Sequence, residues 1–478
     1  MKNKPSFRSH AIRGFSWIAG VKVAEKIVSV ARTVILARLL TPNDFGMFGL
    51  ALITLSLFET FTETGISEAL VQKTTKAETD LPTVWIILAI RGLLLSSLII
   101  LASSFIARFF NLPEPGLIAL VGITPLIRGL SNPATILWRK RLEFGKDVIY
   151  RFSSSFLESI ISVILVFITR SVWSLPIAFV LAATIQSVAS YIFAPIHWGK
   201  FKKTSFNFLF KFGRWMNLNS IIYYLSNQGD DWVVGKLLNT YSLGLYQTAF
   251  RVAMLPASQF GGAVSVIGFP LLAAQKTHEV RMKRTIKLAW SAAYPSFILG
   301  GAILLFAPQI VELLLGSDWL PMVTALRLLI IFGTLTSITG ILGKYYISKG
   351  QPNTVTFLSF LRLLTIAIVI VPAVKLWGIS GAALAIIFPI FTITPLYIKL
   401  LKKEPGINEI RIIKPPLTAF FITLLLGLII KSLLPTTILG LFINLSLYTL
   451  TFALLAYLLD PLLRDLLIQE VLPRFKKR

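Results

Sequence analysis

Cysteine is absent from this chain of 478 residues, and histidine occurs only three times. Thiol catalysis, disulfide bonding and Cys/His metal centres are therefore excluded. His10, His197 and His278 fall in the expected tail or loops and not in apolar runs. Acids are scarce as well: 21 Asp and Glu stand against 47 Lys and Arg, for a net charge of +26, and charged residues make up only 14% of the chain. A nucleotide-binding P-loop needs Gly-Lys followed by Ser or Thr. Gly-Lys occurs at 145, 199, 235 and 343, followed by Asp, Phe, Leu and Tyr, so none qualifies. Nothing in the sequence calls for a cofactor or metal.

Apolar sequence fills the space that these absences leave. Hydrophobic residues reach 55% and the mean hydropathy is +0.76, the composition of a membrane protein rather than a water-soluble domain. Each spanning helix needs about 20 apolar residues. The apolar runs predict spans near 11–36, 45–70, 81–107, 116–137, 150–169, 173–196, 209–234, 241–275, 286–308, 321–347, 354–373, 378–400, 412–434 and 438–462. The expectation is an all-α polytopic membrane protein with about 14 transmembrane helices. The first apolar stretch is interrupted by Lys22, Glu25 and Lys26, which argues for a retained span rather than a cleaved signal.

The basic residues are not spread evenly over the connections. With both termini inside, 31 Lys and Arg lie on the cytoplasmic side and six on the other. Basic loops stay cytoplasmic, so the bias predicts both termini inside and an even number of spans. Acidic lipid headgroups are the ordinary partner of such charge, and nucleic acid is not required.

An internal repeat is also visible. Residues 37–51 (ARLLTPNDFGMFGLA) match 235–249 (GKLLNTYSLGLYQTA) at an offset of 198 residues. Two weaker matches follow in order, 102–111 with 307–316 and 172–174 with 376–378. Three matches in register indicate a duplication. Six spans separate the copies, so the halves run parallel through the membrane. The predicted organisation is an N-terminal lobe over 1–200, a C-terminal lobe over 201–403, and two added helices with a basic tail over 404–478.

Ionisable residues inside spans are costly, about 2.5 to 3.5 kcal/mol at a helix centre, unless they face protein or water. Ten bases and seven acids qualify, so the interior is cationic on balance. Lys22, Glu25, Lys26, Ser29, Arg32 and Thr33 share one face of the first span; Arg214, Asn217, Tyr224, Gln228 and Asp231 share one face of the seventh. These stripes point either to a polar cavity or to internal pairing between helices. The candidate anion-binding residues are Lys22, Lys26, Arg91, Arg214, Arg251 and Arg362. Candidate ion-coupling or ion-pairing acids are Glu25, Glu59, Glu63, Asp230 and Asp231, with Arg91 one prospective partner of Glu59 and Lys236 a prospective partner of the Asp pair. Arg327 and Lys344 lie near span ends and are expected to snorkel. Pro256, Gly261, Gly262 and Pro270 predict a kink in the eighth span.

The segment ARLLTPNDFGMFGLALI with GISEALVQ (65–72), and DDWVVGKLLNTYSLGLYQTAFRVAMLP (230–256), resemble the Wzx-like polysaccharide transporters. These are oligosaccharide flippases of the multidrug/oligosaccharidyl-lipid/polysaccharide exporter superfamily. The resemblance implies fourteen helices in two lobes around a central cavity, in the bacterial inner membrane. It further implies movement of a polyprenyl-pyrophosphate-linked oligosaccharide from inner to outer leaflet by alternating access, with no enzymatic step. On the matching helices, Lys22, Glu25, Lys26, Glu59, Arg251 and Asp230-Asp231 would carry that role. A proton or sodium gradient, membrane lipids and polysaccharide polymerase machinery are the partners it suggests. The alternatives are a peptidoglycan lipid-precursor flippase, which differs in headgroup, and a cation-coupled drug antiporter, whose substrates a cationic interior would repel. A membrane glycosyltransferase or ligase would need acids in long external loops, and the expected loops are short.

Overall fold

A computed structural model describes residues 7–466, apart from 64, 73–76, 142, 196–198, 276, 403–408 and 434–436. Among the described residues the secondary structure is helical throughout, without a strand. Eight helices are long and apolar enough to cross a membrane, and two bent helix pairs bring the number to ten when each pair is taken as one crossing. The chain divides into two compact units, residues 1–244 and 245–478.

The first unit opens with α1 (Phe7–Leu39), α2 (Pro42–Phe61) and the short α3 (Ile66–Gln72). The apolar run at 45–70 is thus not one helix. Thr62 turns its hydroxyl back onto the carbonyls of Phe58 and Glu59, and Gly65 takes a positive φ of 55°. The backbone there leaves the helical region before α3 begins. After α4 (Leu81–Phe109) come α5 (Pro115–Val121), α6 (Thr124–Gly129) and α7 (Leu137–Lys140). They replace the straight span expected at 116–137 by a path bent by 75°. Asn132 makes the corner: its side chain caps Ala134 and donates to the carbonyl of Ala194, while Pro133 removes a backbone donor. The unit continues with α8 (Phe144–Thr169), α9 (Ser174–Phe193), α10 (Lys203–Leu237) and the start of α11 (Thr240–Ala253).

The starts of α2 and α11 are built alike. Thr41 caps α2 in a capping box with Asp44, and Asn239 accepts the amide of Ser242 at the start of α11. Thr41 and Asn239, and Asp44 and Ser242, are matched pairs at the 198-residue offset. These two starts cross at glycines. A Cβ on Gly46 would lie 1.7 Å from the Thr240 carbonyl oxygen, and a Cβ on Gly244 would lie 1.9 Å from that of Pro42. Gly46 with Gly244, and Pro42 with Thr240, are again offset pairs, so the two close approaches are reciprocal.

The second unit carries the rest of α11, a π-helical turn at Ala257–Gly261, and α12 (Gly262–Ala273). The bend across that turn is 44°, at the Pro and Gly residues that the sequence singles out. Next are α13 (His278–Leu314), α14 (Val323–Ser348) and α15 (Pro352–Lys402). A straight α15 of 51 residues would run roughly 75 Å, more than twice the hydrocarbon core. It breaks instead at Gly378, with φ 56° and ψ −135°. A Cβ on Gly381 would meet the Ala373 carbonyl oxygen at 1.9 Å, an approach that residues eight apart on a straight helix, about 12 Å, cannot make. The chain therefore doubles back, and the runs at 354–373 and 378–400 occupy two helices. Finally α16 (Glu409–Leu433) and α17 (Ile438–Leu459) pack on α13, with Trp290, Phe297, Ala419 and Phe452 in the shared core, before the short α18 (Pro461–Leu466).

Candidate functional site

The charged stripe on α1 reaches a partner on α8. Arg32 Nη1 meets Glu158 Oε1 at 2.7 Å, so two of the ionisable residues flagged in separate spans neutralise each other. Both side chains are half-buried, so removing one member leaves the other charge partly uncompensated, at a cost between that of a surface pair and that of a buried one, about 1–3 kcal/mol. Farther toward the N-terminus on α1, Glu25 is exposed and Lys26 half-buried. The side chains of Lys22 and Arg214 lie outside the described residues.

At the C-terminal end of α2 a compact network forms. Arg91 of α4 donates from Nη2 to the Glu59 carbonyl at 2.8 Å and from Nε to the Thr62 hydroxyl at 3.2 Å. It thus caps orphan acceptors of α2. The Glu59 carboxylate pairs at 3.3 Å with Arg128, whose guanidinium also lies 5.2 Å from the centre of the Phe179 ring. Sequence reasoning paired Glu59 with Arg91; the structure brings the two together through the backbone carbonyl and gives the carboxylate to Arg128. Glu63, just past the helix end, is exposed.

On α10 the polar face is partly structural. Tyr224 is buried, donates to the Ile53 carbonyl of α2 at 2.8 Å and accepts from the Trp232 indole at 2.8 Å. Gln228 Oε1 is buried and accepts no hydrogen bond among the described residues. Asp230 is buried and Asp231 half-buried. Lys236 lies with its ammonium 2.6 Å from the Phe109 carbonyl and 4.1 Å from that ring's centre, capping α4. On α11, Arg251 is exposed.

The second unit holds a cavity of about 330 Å³ lined from α14 and both halves of α15. Arg362 reaches it with its guanidinium 4.9 Å from the Phe332 ring centre, and Lys344 reaches it from α14. Arg362 was a sequence candidate; Lys344 was expected to snorkel, as was Arg327, whose Nε donates to the Leu304 carbonyl at 3.2 Å. The signal that could have singled out Lys344 is an absence: no Asp or Glu occurs between Asp318 and Glu404. No group of His, Asp and Glu able to hold a metal ion occurs among the described residues.

Comparison with known proteins adds three findings. A family model described as polysaccharide biosynthesis protein matches residues 35–324. The chain is 21% identical to the lipopolysaccharide biosynthesis protein WzxC of Escherichia coli (strain K12), over 80% of this chain and 78% of that one. It is 27% identical to the succinoglycan biosynthesis transport protein ExoT of Rhizobium meliloti (strain 1021), over 60% and 58%. In fold it is similar to the lipid II flippase MurJ in an inward closed conformation, with a TM-score of 0.76 at 15% identity, covering 94% of this chain and 99% of that one.

Proposed function

The chain belongs to the polysaccharide biosynthesis protein family, and from that premise we propose that it is a lipid-linked oligosaccharide flippase. The cargo is a polyprenyl-pyrophosphate-linked sugar repeat unit destined for a surface or secreted polysaccharide. The protein carries it from the inner to the outer leaflet by alternating access, without making or breaking covalent bonds.

The observation that carries this reading is the family match over residues 35–324, joined to relatives whose names place them in polysaccharide biosynthesis and transport. Physical chemistry supports it. Pyrophosphate is a multiply charged anion, and Lys or Arg at low dielectric attracts it strongly. Lys22, Lys26, Arg91, Arg214, Arg251 and Arg362 are the residues proposed to supply that charge. Arg91 spends two of its five N–H groups on α2 and keeps the others for a ligand. Glu25, Glu59, Glu63, Asp230 and Asp231 are the candidates for coupling to a proton or sodium gradient, Glu59 in competition with its bond to Arg128.

The proposed architecture is fourteen spans, in lobes 1–200 and 201–403 with a further pair over 404–478. The reciprocal Gly46 and Gly244 approaches and the matched caps at Thr41 and Asn239 support the duplication. The basic-residue bias supports both termini in the cytoplasm, within the bacterial inner membrane. The MurJ-like fold is compatible with a peptidoglycan precursor as cargo; the family match favours polysaccharide units.

The test is mass spectrometry of lipid-linked intermediates, with leaflet assignment, in cells lacking this chain. Repeat units should accumulate on the inner leaflet. An unchanged distribution would refute the proposal.

A further inference from the structure

We propose that the cavity within the second unit is a binding site for the phosphate group of a lipid, with Lys344 as its principal cation. Arg362 already figures in the flippase reading; the site around it, with Lys344 and an apolar lining, is what the cavity adds. Lys344 and Arg362 enter the cavity with the hydroxyl-bearing Thr336, Thr339 and Ser359, and its other described lining residues are apolar or glycine.

The charge balance of the cavity is one-sided. None of its lining residues among those described is acidic, and the stretch that supplies them, from Phe332 to Ile393, contains no Asp or Glu. Lys344 is half-buried and has neither an ion pair nor a hydrogen bond among the described residues. A half-buried ammonium without an acidic partner among the described residues leaves a counter-charge to be supplied from outside the lining. A phosphate fits the chemistry. Lysine binds it as a compact point charge, the hydroxyls of Thr336 and Thr339 can donate to its remaining oxygens, and Arg362 stacks on Phe332. The mainly apolar lining favours a phosphate attached to hydrocarbon over a free ion, and about 330 Å³ is the lower range of small-ligand pockets.

Two lipids offer this group: the polyprenyl pyrophosphate of the proposed cargo and the headgroup of an anionic phospholipid. The first rests on the flippase reading; the second stands without it. Two kinds of variant probe the site. Lys344→Gln removes the charge and Lys344→Arg keeps it. Gly340→Leu fills the space, because a Cβ on Gly340 meets nothing within 4 Å and the added side chain projects into the cavity without forcing α14 to move.

The purified full chain is titrated by native mass spectrometry with polyprenyl pyrophosphate, with phosphatidylglycerol, and with diacylglycerol as the phosphate-free control. Lys344→Gln and Gly340→Leu should each lower retention of one phosphate lipid on the order of tenfold, the loss of one charge-assisted contact, while Lys344→Arg stays within about threefold of wild type. Loss of polyprenyl pyrophosphate identifies the cargo as the source, and loss of phosphatidylglycerol identifies a resident lipid; either supports the site. Gly340→Leu keeps the test open if Lys344→Gln does not fold. Wild-type retention of both phosphate lipids by the charge-removing and space-filling variants, or an equal loss of diacylglycerol, would overturn the proposal. Failure of the flippase reading would appear in intact cells and leave the phosphatidylglycerol result standing.

Discussion

At the scale of single residues, the intramembrane charges divide by what they touch. Arg32 is spent on Glu158, Arg128 on Glu59, and Arg91 partly on the end of α2. Composition made the cationic surplus legible, but sequence could not tell which charge meets which, because the partners come from helices far apart in the chain. For Arg32 and Glu158 the expected behaviour is that of a structural pair. Arg32→Gln or Glu158→Gln alone should lower membrane abundance and cost about 1–3 kcal/mol of stability, and the double variant should recover most of it. Immunoblotting of membranes with thermal unfolding in detergent measures this; equal losses in the single and double variants would reject the pairing. Lys26→Gln and Arg251→Gln test recognition: per amount of folded protein, each should weaken cargo recognition on the order of ten- to hundredfold. Normal surface polysaccharide in both would remove them from the site.

Helices show most clearly where a sequence reading holds and where it stops. Hydropathy located the apolar runs because lipid burial leaves an unbroken signal of about 20 residues. It missed the end of α2 and the corner in α5–α7, which are set by polar bonds of Thr62 and Asn132, one of them to Ala194 far along the chain, that barely change the hydropathy of a window. The kink before α12 was legible, since Pro and Gly mark such breaks directly. The repeat offered more than a similarity of letters. Gly46 and Gly244 stand where α2 and α11 come into backbone contact, and the closeness of that contact explains why both copies hold glycine. Gly46→Ala and Gly244→Ala should therefore destabilise to a similar extent, about 1–3 kcal/mol each. Gly340→Ala, by contrast, should be neutral or stabilising by up to about 1 kcal/mol, because it gains helix propensity in open space. Unfolding midpoints of the three purified variants provide the comparison, and tolerance at Gly46 with damage at Gly244 would break the proposed equivalence.

For the whole molecule, the basic-residue asymmetry makes a topological forecast. Reporter fusions near residues 139–146, 276–287 and 399–414 should report the cytoplasm, and fusions at Asn43 or Ser317 the opposite side. Identical signals from both groups would remove the fourteen-span arrangement. No Gly-Lys in the sequence is followed by Ser or Thr, and the expectation is that transport draws on an ion gradient or on the gradient of the cargo. Reconstitution tests both energy source and activity. The purified chain is placed in liposomes with a polyprenyl-pyrophosphate-linked sugar, and sugar exposed on each leaflet is followed in the absence of ATP. The account predicts movement across the bilayer that depends on the protein. No movement under any imposed proton or sodium gradient, or movement that strictly requires ATP hydrolysis by this chain, would contradict it.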